Sequence, residues 1–104
     1  MGFNYGDILK QAKVMQQKME KVQEELKNME FEASSGGGVV KVTVNGDQEV
    51  LKVTMNKDMV EVDDLEMLED MVLVAVNDAI GQSKAESKAR MASLTGGMNM
   101  PGMF

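Results

Sequence analysis

Apolar residues recur at Ile8, Ala12, Met15, Met19, Val22, Leu26 and Met29, with gaps that alternate between 4 and 3. This spacing runs one apolar seam down a helix for three heptads, so the helix calls for an apolar partner along its length. Asn4 and Asp7 are both candidate N-caps. A helix over residues 5–30 is about 39 Å long at ~1.5 Å per residue. That is long for a chain of 104 residues, so part of it is expected to project from the core.

The pattern then shortens to alternation. Residues 31–35 read as a first strand, 39–44 as a second and 49–55 as a third. Val40, Val42 and Val44 share one face of the second strand, and Leu51, Val53 and Met55 share one face of the third. Lys41, Thr43, Lys52 and Thr54 face the other way. An antiparallel sheet covered on one side has this layout. Asn45-Gly46 between two strands predicts a two-residue type I′ turn, whose central positions both need φ > 0.

Residues 62–94 predict a second long helix, with Asp63 and Glu66 at capping-box spacing. Leu65, Leu68, Val72, Ala75, Val76 and Ala79 form one stripe, and Met67, Met71 and Val74 a second. A helix apolar around much of its girth is covered on more than one side. Beyond Gly81 the residues turn small and polar, so that end is expected to face solvent.

The expected fold class is therefore α+β: a long N-terminal helix, a three-stranded antiparallel sheet and a long C-terminal helix. Residues 1–95 form one domain, and the Gly/Met-rich residues 96–104 form a tail expected to be disordered. Three short strands and two long helices cannot close a deep core at this size. The leftover apolar surface predicts a homodimer, with Met67, Met71 and Val74 in the interface.

Composition narrows the chemistry. The chain has no histidine and no cysteine, which excludes disulfides, thiolate or imidazole metal ligands, and nucleophilic catalysis by Cys or by a Ser–His pair. No apolar run approaches the ~18–20 residues of a membrane span. The first ten residues lack a signal-peptide layout, and a cytoplasmic protein without a membrane partner is expected. Twelve methionines sit mostly at apolar helix positions, where flexible thioethers fill a core; a promiscuous Met-rich groove is the sharper alternative.

Gly36, Gly37 and Gly38 raise the question of a phosphate cradle, but a phosphate loop feeds a helix and these glycines feed a strand. They are read as a reversal that uses positive φ, and no nucleotide or other small-molecule substrate or cofactor is expected. From residue 58 to 78 the chain holds eight Asp and Glu and no Lys or Arg. The calcium-loop order is missing, so these are read as compensating a helix N-terminus and solvating a face, not as a metal site.

Net charge is −6, yet it is unevenly placed. At ~100° per residue, Lys10, Lys13, Gln17 and Lys21 fall within about 80° on the side of the first helix away from its seam. Lys84, Lys88 and Arg90 make the outer part of the last helix basic as well. Few aromatics accompany them, which argues against stacking on single-stranded bases.

"SGGGVVKVTVNG", "DLEMLEDMVLVAVNDAI" and "KARMASLTGGMNMPGMF", with the earlier "LKQAKVMQQKMEKVQEEL", resemble the bacterial YbaB/EbfC nucleoid-associated proteins over nearly the whole chain. The resemblance implies a tweezer-like homodimer with protruding helices, a nucleoid location and binding to double-stranded DNA without enzymatic activity. Carried over residue by residue, it assigns DNA contact to Lys10, Lys13, Gln17, Lys21, Lys84, Lys88 and Arg90. The rival reading is an acidic dimeric protein-interaction or chaperone-like module that holds a partner with its helical arms. A metal-dependent hydrolase built on the acidic segment is a more distant alternative.

Overall fold

A computed structural model describes residues 4–94. The expected tail, residues 96–104, lies outside the described residues. The element order is α1 (Tyr5–Lys27), β1 (Glu30–Ser35), β2 (Val40–Asn45), β3 (Val50–Met55) and α2 (Leu65–Leu94). The strands form one antiparallel sheet in the order β1-β2-β3. The α+β class and the order of all five elements match the expectation from sequence.

α2 lies across β1 and β2. Val40, Val42 and Val44 on the central strand are completely buried beneath it, as are Ala75 and Ala79 on the helix. Ala33 of β1 joins this core, and Leu68, Met71, Val72, Val76 and Ile80 pack around it. Methyl side chains at Ala75 and Ala79 let the helix approach the sheet closely, while longer neighbours close the flanks. Ser35 Oγ adds a hydrogen bond to the Met71 carbonyl at 2.6 Å.

β3 is not covered. Its register pairs Val42 with Val53 and Val40 with Met55, so their side chains share the face on which α2 sits. Yet Val50, Val53 and Met55 remain exposed. The apolar face expected for the sheet therefore exists, but one helix spans only two of its three strands. A bulge near Thr43 and Val44 pairs Val44 with Val50 and leaves Leu51 as the extra residue. Leu51 thus drops out of the simple alternation.

Local stops depart from the sequence expectation by one to three residues, for visible reasons. α1 begins as expected at Asn4, whose side chain accepts the Gly6 N–H at 3.0 Å. It ends at Lys27 and not near residue 30, because Asn28 caps it, donating its Nδ2 to the Glu24 carbonyl at 3.1 Å. Met29, the last member of the seam, falls outside the helix. α2 starts at Leu65 with Asp64 as its cap: the Asp64 carboxylate accepts the Met67 N–H at 3.1 Å, so no Asp63–Glu66 capping box forms.

The β2–β3 hairpin closes with a different turn from the type I′ expected. The Asn45 N–H donates to the Glu49 carbonyl at 3.0 Å across a three-residue loop, and Gln48 takes the left-handed position at φ 62°. Asn45 Oδ1 accepts from the Asp47 and Glu49 N–H groups inside the loop. Gly46 serves another purpose. A Cβ there would stand 2.2 Å from the Leu26 carbonyl oxygen, to which the Gly46 N–H donates at 2.8 Å. The base of α1 is thereby seated directly on the hairpin.

At the opposite end of β2, Gly36, Gly37 and Gly38 have φ of 63°, 70° and 102°. They reverse the chain from β1 into β2, as expected of a structural glycine loop.

Candidate nucleic-acid interface

α1 is attached at its C-terminal end alone. Leu26 is its one fully buried residue, and every residue from Tyr5 to Lys21 is exposed. Twenty-three residues make a helix about 35 Å long, most of it an arm. The described residues measure 74 × 24 × 15 Å with a radius of gyration of 19.8 Å. A compact domain of this length has a radius near ~13 Å.

Lys10, Lys13, Gln17 and Lys21 lie along one side of this arm, exposed. The apolar seam lies on the other side, where Ile8, Met15 and Met19 are also left open. Lys18, not among the residues assigned from sequence, is exposed on the flank of the basic side. Among the described residues, both ion pairs within 4.0 Å belong to Arg90, so none of these lysines has its charge met by a neighbouring carboxylate.

α2 forms the second projection. Ser83 is its last fully buried residue; its hydroxyl donates to the Asn45 carbonyl at 2.7 Å and accepts from Gln48 Nε2 at 3.0 Å. Beyond it the helix leaves the sheet at the hairpin end, the same end at which α1 is seated. Lys84 and Lys88 are exposed there. Arg90 differs from them: its guanidinium is held by Glu86 of α2 at 2.9 Å and Glu25 of α1 at 3.1 Å. The i,i+4 spacing of Glu86 and Arg90 was legible in the sequence; the partner on the other helix was not.

The residues assigned to the interface between copies separate. Met67 and Val74 are 46 % and 50 % exposed, and Leu73 beside them is 60 % exposed. Met71 instead packs on the chain's own core, with its thioether over Gly36. A shallow cavity of about 320 Å³ lined by Met55, Leu65, Leu68, Glu69 and Val72 opens between β3 and α2. Among the described residues no group of three or more acidic side chains is arranged to hold a metal ion, and no helix is long and apolar enough to cross a membrane.

A small sheet carrying two helical projections, each with unpaired lysines, defines the class of the molecule as an elongated α+β protein. The chain belongs to the YbaB/EbfC DNA-binding family, whose model matches residues 1–98. It is 50% identical to a nucleoid-associated protein of Clostridium novyi (strain NT) over 103 residues, 99% of this chain and 90% of that one. It is 48% identical to a nucleoid-associated protein of Desulforamulus reducens over 104 residues, covering 100% and 99% of the two chains. The fold is shared with an uncharacterized protein from Helicobacter pylori, with a TM-score of 0.82 at 19% identity over 90% of this chain and 99% of that one.

Proposed function

We propose that the protein binds duplex DNA as a homodimer, through phosphate contacts from the basic side of α1 and the outer turns of α2. It acts without catalysis, in the cytoplasm, as part of nucleoid organisation and gene regulation. The observation that carries this reading is the arm: four exposed lysines, Lys10, Lys13, Lys18 and Lys21, on a helix that packs at its base alone and pairs none of them with a carboxylate. Family membership supports DNA as the polyanion. A homodimer doubles each basic patch, which is how a chain of net charge −6 can engage a polyanion. The uncovered faces of Val53 on β3 and of Leu73 and Val74 on α2 support association of two copies.

Replacing Lys10, Lys13 and Lys21 together with Gln is expected to weaken duplex binding and flatten log K against log salt by about 0.9 per lost contact. Melting temperature should hardly move, because all three side chains are exposed. A triple variant that stays folded and dimeric with wild-type affinity and slope sinks the phosphate reading. Val53→Asp or Val74→Asp should shift the protein toward monomer in sedimentation, since a buried charge without a partner is costly. A wild-type chain that sediments at 11.4 kDa refutes the dimer.

The open seam of Ile8, Met15 and Met19 favours the second reading, an arm that grips another protein. A gel shift at low salt separates the two: no binding to any duplex leaves the protein-interaction reading standing.

A further inference from the structure

Arg90 stands apart from the other cations. Its Nη1 donates to Glu25 Oε2 on α1 at 3.1 Å and its Nε to Glu86 Oε1 on α2 at 2.9 Å. Among the described residues, its bond to Glu25 is the ion pair that crosses between the two helices. One guanidinium between two carboxylates leaves the cluster net negative, so a phosphate approaching the remaining Nη2 group would be repelled by both carboxylates.

We propose that Arg90 is a positioning residue: it sets the angle at which the α1 arm leaves the body, and does not itself contact the nucleic acid. The inference rests on the DNA-binding reading above. The side chains of Arg90 and Glu25 are 35% and 45% exposed. Pairs this open add little to folding stability. Their effect here is angular, because α1 has few other restraints. Leu26 is buried, its carbonyl accepts from the Gly46 N–H group, and α1 also touches α2; from Tyr5 to Lys21 the arm is exposed. From Glu25 to Lys10 the arm runs about 22 Å at ~1.5 Å per residue, so a swing of roughly 10° at the base moves Lys10 by about 4 Å. That exceeds the ~3.4 Å rise between successive phosphates of one strand. A weak restraint at the fulcrum therefore decides whether Lys10 and Lys13 meet phosphates in register.

The chain has no cysteine, so Gln11→Cys and Ala89→Cys, both at exposed positions, take spin labels without competing sites. Labelled chain diluted into unlabelled chain reports the distance within one copy. Glu25→Gln should broaden that distance distribution and weaken duplex binding about two- to fivefold, the range an exposed ion pair can supply. It should do so although it removes a negative charge. Arg90→Lys, which keeps the charge and loses the two-pronged bridge, should behave like Glu25→Gln. The pair Glu25→Leu with Arg90→Leu, which restores an interhelical contact in apolar form, should bind nearly as wild type.

A phosphate-contacting Arg90 reverses all three results: Glu25→Gln binds more tightly, Arg90→Lys binds as wild type, and the double Leu variant loses affinity with a slope flatter by about 0.9 per engaged arginine. That pattern, or a distance distribution that Glu25→Gln does not move, overturns the assignment and leaves DNA binding by the lysines intact. Wild-type protein that binds no duplex at low salt overturns the DNA-binding reading itself, and this assignment with it.

Discussion

The two long helices join the rest of the chain in opposite ways. α1 has the more regular apolar seam, yet it buries a single residue completely. α2 has a less regular pattern, yet its middle turns bury Ala75, Ala79 and Ser83 and pack five larger side chains around them. Periodicity announces that a helix has an apolar side. It does not say where the cover for that side comes from. For α2 the cover is the chain's own sheet; for most of α1 nothing in the same chain supplies it.

The widest gap between the helices should appear on adding bulk to an alanine in each. Ala75 is completely buried against the sheet, and Ala12 lies on the open seam. Ala75→Leu forces side chains and backbone apart in a close-packed layer and is expected to cost about 3 kcal/mol, lowering Tm by roughly 15 °C. Ala12→Leu should stay within about 0.5 kcal/mol of wild type. Equal losses in thermal melts would mean that the α1 seam is covered after all, most simply by a second copy.

A smaller effect is expected where α1 is fixed. Gly46→Ala places a Cβ 2.2 Å from the Leu26 carbonyl oxygen, and backbone cannot give way as a side-chain tip can. The hairpin and the base of α1 must part, losing the 2.8 Å bond between them. A cost of about 2 kcal/mol follows from overpacking and the lost hydrogen bond. Hydrogen exchange should quicken in the last turns of α1 before it does so in α2. Faster exchange in α2 first would contradict the picture of a core helix beside a seated arm.

How far these features could be read in advance depends on how local their causes are. The heptad seam, the valine alternation and the glycine loop follow from residues near one another in sequence, and the five elements appeared where those patterns placed them. The ends moved because capping depends on which of two adjacent polar residues reaches a free N–H: Asp64 does so for α2, where Asp63 seemed equally placed. The role of Gly46 was hidden for a different reason. Asn-Gly predicts a turn by itself, but the close approach of Leu26, twenty residues earlier in the chain, is a tertiary fact. Ser83 escaped notice because a hydroxyl in a polar stretch looks like surface, whereas here it bonds to the hairpin loop. The lysines of the candidate site were legible from charge and helical phase. The separate status of Arg90 was not, because Glu25 lies on another element.

The smallest of these effects should come from the glycine loop, and it divides by which helix the loop touches. Gly37 has φ 70° and open space where a Cβ would stand, so Gly37→Ala meets only the left-handed backbone and should cost about 1 kcal/mol. Gly36 has a similar φ of 63°, but an added Cβ would lie 2.7 Å from the Met71 sulfur of α2. A thioether tip can swing aside, so Gly36→Ala should exceed Gly37→Ala by less than about 1 kcal/mol. The Met71→Ala background removes that neighbour and should bring the two glycine variants to the same cost, which chemical denaturation of the four variants can measure. A difference that persists in the Met71→Ala background would show that the loop is coupled to the core by something other than this contact. Neither variant should alter duplex affinity or its salt slope, because the loop lies at the end of the sheet opposite the base of α1.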